Sequence, residues 1–342
     1  MDPITRRAFL KVTGFAGLAL LAACRAEGSP AGEGASAALN GASSLSPSPV
    51  ELLITPTGEL YTQSYSSTPR VDPGTWRLSV DGLVDRPLTL TYAELSSFAK
   101  VESLRTLECI GNPVGGSLIG NPRWGGFRAQ EIWDRVGIRP EAVRAKFTAA
   151  DDYQTSVDLR WITQPDVILV YEINGEALPA EHGFPLRILM PGLYGQKMPK
   201  WLTRIEFTPD VFIGYWEGRG WSDEASVQTN SILRQPRGLS PLPLGGVPVF
   251  GVAFAGLRRI MAVEVRIDQG EWQPAQLLQG PSPLIWTQWS FEWPAEPGTH
   301  RIAVRATDET GFVQNSEADS LLAGAFPDGA NDIHSVVVRV EG

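Results

Sequence analysis

The sequence predicts two globular domains in series, an α+β domain over residues 51–230 and an all-β sandwich over residues 231–342. Three observations lead there. The chain has 342 residues, near the limit of one hydrophobic core, and its 43% hydrophobic content is ordinary for a folded protein. Between residues 51 and 230, strands and short helices mix without a βαβ rhythm. No glycine-rich loop there follows a strand and opens a helix, so a nucleotide-binding fold is not indicated. Beyond Ser231 the helical signals fade, and short alternating strands separated by turns take over.

The first 24 residues read as an address. Thr5-Arg6-Arg7-Ala8-Phe9-Leu10-Lys11 has the twin-arginine form, and the apolar run Val12 to Ala23 is too short to span a bilayer. It ends in Leu21-Ala22-Ala23-Cys24, the form of a lipoprotein processing box, so the expected product is exported and anchored to a membrane by lipid on Cys24. An ordinary signal peptide is the alternative. Residues 25–50 are rich in Gly, Ala, Ser and Pro. They have too few bulky apolar groups to offset their ordering entropy, which reads as a flexible tether.

Trp76 to Val80 alternates apolar and polar residues, as a half-buried strand does, with Asp81-Gly82 as its turn. Thr91-Tyr92-Ala93-Glu94 has capping-box form and opens a short helix. Ile132 and Val136 share one face of a second helix, from about Ala129, that Gly137 stops. Val167 to Tyr171 is a β-branched run, followed by the hairpin signal Asn174-Gly175. In the second domain, Ile260–Ile267, Trp286–Trp293, Ile302–Ala306 and His334–Val340 alternate, with turns at Asp268-Gln269-Gly270 and Pro297-Gly298. This is the pattern of an immunoglobulin-like sandwich.

A net charge of −9 argues against nucleic acid as a partner, so any basic patch is local. Of two cysteines, Cys24 falls in the leader, which leaves Cys109 without a disulfide partner. An unpaired thiol in an exported chain is buried, reactive or liganded. Cys109 ends a short extended run and opens a loop, Cys109-Ile110-Gly111-Asn112-Pro113. Arg105 lies nearby, at a spacing that suits either the thiol or solvent. Lys197 and Lys200 lie close together on a turn containing Gly195, and Arg187 offers a forked donor suited to phosphate. Taken singly, His182 fits a loop brace as well as a contact, and the lysines fit a solvated face. Arg187 fits a pair with a core carboxylate, and Asp151 and Asp152 fit turn positions.

Taken together and in order, these segments resemble the sulfite oxidase family. The Cys-x-Gly-Asn loop is followed by Trp124-Gly125-Gly126-Phe127. Then come Asn174-Gly175, Leu178-Pro179, His182-Gly183-Phe184-Pro185-Leu186-Arg187, Pro191-Gly192 and Lys200-Trp201-Leu202, all at matching spacing. The resemblance implies a molybdopterin (molybdenum cofactor) with Cys109 as catalytic thiolate ligand to the metal, a soft donor suited to molybdenum. It implies cofactor contacts from Tyr61, Gln63, Ser64, Tyr65, Asp151, His182, Arg187, Gly195, Lys197 and Lys200. It also implies two-electron chemistry on a small-molecule oxo-donor or oxo-acceptor, and dimerisation through the C-terminal domain. No haem-ligand pattern surrounds His300 or His334, so electrons pass to a separate redox partner such as a cytochrome or membrane electron carrier.

The departures point away from sulfite. Where sulfite-oxidising members carry substrate-holding arginines, this chain has Tyr61-Thr62-Gln63-Ser64-Tyr65 and Pro113-Val114. The tyrosine near their metal falls at Ile213, with Tyr215 two residues on. Two other readings compete: a cysteine hydrolase or transferase with Cys109 as nucleophile and His182 as base, and a non-catalytic binding lipoprotein.

Overall fold

The computed structural model describes residues 54–238, 241–315 and 324–341. The twin-arginine segment, Cys24 and the tether of residues 25–50 lie outside the described residues.

The alternating run after Trp76 becomes the strand Arg77–Gly82. It is the second strand of a five-stranded sheet ordered Leu88–Thr91, Arg77–Gly82, Leu202–Thr208, Arg144–Ala149, Gln154–Asp158. Arg77–Gly82 runs parallel to Leu202–Thr208, and the other neighbours in this sheet are antiparallel. Gly82 has φ +82°, and a Cβ there would sit 2.2 Å from the Phe207 carbonyl oxygen, so the close approach of these two strands requires glycine. A second sheet is ordered Glu176–Ala177, Ile168–Ile173, Arg123–Arg128, Lys100–Leu104, with Arg187–Leu189 also paired to Ile168–Ile173. The hairpin at Asn174-Gly175 forms with both residues at positive φ, 50° and 84°.

Strand dominates this half of the chain. The helical content expected of an α+β domain is confined, among the described residues, to the α-helices Gln130–Val136 and Leu159–Ile162 and to short 3-10 turns. The capping box forms as read: Thr91 N–H donates to Glu94 Oε2 at 2.7 Å, and Glu94 N–H donates to Thr91 Oγ1 at 3.3 Å. It nucleates only a 3-10 helix, Ala93–Ser97. Gly137, at φ +64°, ends the helix Gln130–Val136.

The second half is a sandwich of two sheets. One is ordered Asn230–Gln235, Gly245–Phe254, Thr287–Ala295, Gln276–Leu278. The other is ordered Leu242–Pro243, His334–Glu341, Gly298–Asp308, Ile260–Ile267, Gln273–Pro274. Val263, Val265, Trp289, Ile302 and Val304 fill the space between them. A third apolar cluster draws on both halves. It packs Ile110 and Ile119 with Ile232, Val252, Ile285 and Trp286, apart from the core of each half.

Candidate active site

Leu107–Glu108 pairs with Ile119–Gly120, and this two-stranded ribbon brackets the cysteine loop. Cys109 is the first residue past the strand and is half-buried. Its N–H donates to the Leu118 carbonyl at 3.0 Å, and its carbonyl accepts from the Asn112 N–H at 2.9 Å. Asn112 closes the loop. Its Nδ2 donates to Glu108 at 2.9 Å, and its Oδ1 accepts from the Leu118 N–H at 2.9 Å. Burial pushes the Cys109 thiol up to about 11. The Gly111 N–H opposes this, and the neighbouring Glu108 adds to it. The bare thiol is therefore protonated at neutral pH and needs a strong local cation to ionise.

Around this sulfur the fold gathers side chains from distant segments. A side chain on Gly111 would start 3.8 Å from Cys109 Sγ and 3.6 Å from the Trp221 ring. One on Gly195 would start 3.4 Å from Tyr61 Oη and 3.5 Å from the Glu108 carbonyl oxygen, so the Gly195 turn lies against the loop. Tyr61 joins the sulfur to a basic cluster: burial raises its phenol, the charge of Cys109 adds to this, and Arg187 opposes it.

Arg187 is 4% exposed. Its Nη1 donates to the His182 carbonyl at 3.1 Å, its Nε has no partner, and its guanidinium lies 5.1 Å over Trp124. Lys200 donates to Ser64 Oγ at 2.9 Å and to the Glu181 carbonyl at 2.8 Å. Burial lowers Lys200 to about 8, with Arg187 adding to the shift; Asp151 pulls the other way. Burial and then Arg187 also hold His182 below the usual imidazole value. Two cations and an imidazole thus converge on neutral acceptors. A buried guanidinium with a free Nε and no carboxylate on it suits a phosphate.

The remaining sequence-expected residues divide. Tyr65 stacks edge-on to Tyr215 at 4.3 Å and tilts against Tyr153 at 5.9 Å. Gln63 is exposed. Asp151 accepts from the Tyr153 N–H at 3.2 Å in the turn where Asp152 takes φ +66°, within electrostatic reach of Lys200. Lys197 does not belong with this group. It is fully buried and donates to Glu217 Oε1 at 2.5 Å, Asp223 Oδ1 at 3.0 Å and the Ser156 carbonyl at 3.0 Å. Two carboxylates already satisfy its charge, so its expected cofactor contact is corrected to a structural ion cluster. Arg105 is likewise buried away from the thiol, bonded to the Asp166 carbonyl and Ser103.

Sequence reasoning missed Trp221, Tyr153, Tyr194 and Asn230. Tyr153 donates to the Gln196 carbonyl at 2.7 Å. Tyr194 stands between Gly192 and Gly195 in a segment that was recognisable. Trp221 and Asn230 carry no local signal, because they meet the cysteine loop only through the tertiary fold.

Comparison with known proteins places this arrangement. The oxidoreductase molybdopterin binding domain family matches residues 65–216. Sulfite oxidase from Gallus gallus is 31% identical over 320 residues, which cover 78% of this chain and 70% of that one. The chain belongs to the sulfite oxidase family. It is a molybdenum-dependent oxidoreductase, and its cofactor is molybdopterin-bound molybdenum. Nitrate reductase [NADH] 1 from Oryza sativa subsp. japonica is 30% identical over 335 residues, covering 79% of this chain but 36% of its own length. The human mitochondrial sulfite oxidase is 29% identical, with 59% of its length covered. Among solved structures, the sulfane dehydrogenase SoxCD from Paracoccus pantotrophus shares the fold. Its TM-score is 0.73 at 22% identity, covering 88% of this chain and 89% of that one.

Arg187→Met is expected to lower cofactor retention by about 10- to 100-fold, since a charge-assisted hydrogen bond contributes ~1.5–3 kcal/mol; pterin fluorescence of the purified protein measures it. Lys200 is an ammonium only below about 8 in the cofactor-free chain. Affinity for a phosphate anion will therefore fall as pH rises through that value, and proton uptake will accompany binding above it. Calorimetry of inorganic phosphate binding in two buffers of different ionisation heat reads both.

Proposed function

We propose that the protein catalyses two-electron oxygen-atom transfer with Cys109 as its thiolate ligand to molybdenum, on a small oxo-donor or oxo-acceptor other than sulfite. The observation that carries this reading is the joint placement of Cys109, Tyr61 and Arg187. A thiol that ionises poorly by itself shares Tyr61 with a buried guanidinium whose Nε has no hydrogen-bond partner among the described residues.

When bound, the cofactor supplies the redox change and the site of oxygen transfer. The chain's residues do the rest. Arg187, Lys200 and Ser64 would hold its phosphate end by charge and hydrogen bonds, and His182, kept neutral, would contribute hydrogen bonding rather than charge. The Cys109–Asn112 turn, bonded to Leu118, holds the cysteine at the end of the ribbon. Trp221, half-buried, supplies an apolar wall and limits water at the sulfur.

The surroundings of the thiol favour this reading over a cysteine hydrolase. A nucleophilic cysteine needs a lowered pKa and an adjacent base. Cys109 is instead pushed up, and the groups acting on it are Gly111 and Glu108 rather than His182.

By the resemblance, Pro113 and Val114, and the segment Tyr61 to Tyr65, fall where sulfite-oxidising members carry substrate-holding arginines, and Ile213, where their tyrosine falls, is 54% exposed. Two missing charge-assisted contacts, at ~1.5 kcal/mol or more each, weaken sulfite binding by about 100-fold or more. Steady-state sulfite oxidation with an artificial acceptor is the test. Turnover matching that of the chicken enzyme would overturn the substrate assignment.

The twin-arginine and Leu-Ala-Ala-Cys24 sequences support an exported, lipid-anchored enzyme working with a separate cytochrome or membrane electron carrier. The C-terminal sandwich supports a homodimer.

A further inference from the structure

The sandwich reaches the cysteine loop at several points. Asn230, first residue of the strand Asn230–Gln235, donates from Nδ2 to both carboxylate oxygens of Glu108, at 3.3 and 3.0 Å. Glu108 directly precedes Cys109 and is 3% exposed, and two buried amides hold its carboxylate, Asn112 from 4 residues along the chain and Asn230 from 122. Upstream, Thr106 N–H donates to the Leu284 carbonyl at 2.8 Å, and Thr106 Oγ1 accepts from the Trp286 N–H at 2.8 Å. Downstream, His334 packs on the loop so closely that a Cβ on Gly115 would lie 2.2 Å from its Nε2. Its Nδ1 meanwhile accepts from the Leu233 N–H at 3.0 Å.

We infer that Asn230 is a positioning residue for Cys109, acting through Glu108 and Asn112, and that the sandwich is thereby part of the active site rather than an appended module. The family match ends at residue 216, before this residue. The physical chain is short. Asn230 fixes the Glu108 carboxylate, which orients the Asn112 amide. Asn112 then holds the Leu118 N–H, and the Leu118 carbonyl receives the Cys109 N–H. Removing the first amide leaves a buried carboxylate under-bonded and frees the turn that holds the cysteine. The inference rests on Cys109 being the metal ligand.

The test uses the full, cofactor-loaded chain and compares wild type with Asn230→Ala and Asn230→Asp. The second keeps the volume and removes the donor. Amide hydrogen exchange at Cys109 and Leu118 is expected to speed up about 10-fold or more in both. A kcat fall of about 10- to 100-fold with KM unchanged and a shifted thiolate-to-metal absorption band will accompany it. Glu108→Gln sets an amide nitrogen against Asn230 Nδ2 in place of the oxygen at 3.0 Å and is expected to speed Leu118 exchange likewise. It decides the matter if the Asn230 variants do not fold. Folded Asn230 variants that lose thermal stability but keep wild-type exchange and absorption at the loop overturn the inference, as does wild-type Leu118 protection in Glu108→Gln. Failure of the ligand assignment would look different: Cys109→Ser would then keep its molybdenum and its turnover whatever Asn230 does.

Discussion

Cys109→Ser is expected to lower turnover by more than about 100-fold while the protein keeps its pterin. Loss of a partner one step removed from a metal already costs about 10- to 100-fold, and under the proposed ligation a serine replaces the soft thiolate donor with a harder oxygen. The organic part of the cofactor is expected to stay. In the proposed cradle, Lys200 bonds Ser64 and the Glu181 carbonyl and Arg187 bonds the His182 carbonyl, and none of these bonds involves the cysteine. Elemental analysis for molybdenum, pterin fluorescence and steady-state rates on the same preparation separate these effects. A serine variant with wild-type turnover would end the ligand assignment; one that loses pterin together with metal would show that the cradle alone does not retain the cofactor.

Lys197→Met is expected to destabilise the fold by about 3–5 kcal/mol, the usual cost of leaving one side of a buried ion pair uncompensated. The Glu217 side chain is 2% exposed and would lose its cation, keeping only the Thr155 hydroxyl at 2.7 Å. Asp223 retains Arg144, which grips both its oxygens at 2.9 Å. Burial alone would raise the Asp223 carboxyl, but bonds and charge from Arg144 and Lys197 outweigh it and keep the group below the usual range. Urea unfolding measures the loss. Pterin content of the folded fraction is expected to stay at wild-type level, in contrast with Arg187→Met. A Lys197 variant that is stable but empty would restore the lysine to the cofactor site.

These two lysines show how far the sequence could be read. Lys197 and Lys200 are three positions apart in one motif, and nothing local separates them. The 3-10 turn Gly195–Lys197 sends the first inward, toward carboxylates 20 and 26 residues further along the chain. Lys200 stays half-buried beside Ser64, 136 residues away. The aromatic shell followed the same rule. Trp221 and Tyr153 sit at the site because the sheets bring them there, and a tryptophan or tyrosine in a loop carries no mark of what it will face.

Local chemistry was legible where backbone geometry is decided by adjacent residues. The hairpin at Asn174-Gly175, the stop at Gly137 and the Thr91–Glu94 box are each satisfied within a few positions. Helix content was overread for the same reason: a capping box starts a turn, but packing decides whether the turn continues, and here the sheets claim the apolar residues. The sequence by itself determined the family, the cysteine loop, the forked cation at Arg187 and the alternating strands of the second half, because each is written in contiguous residues. Only the tertiary structure decided which lysine is claimed by carboxylates and that Asn230 of the sandwich holds Glu108 beside the sulfur. A buried charge or amide is defined by its partner, and these partners come from up to 136 residues away.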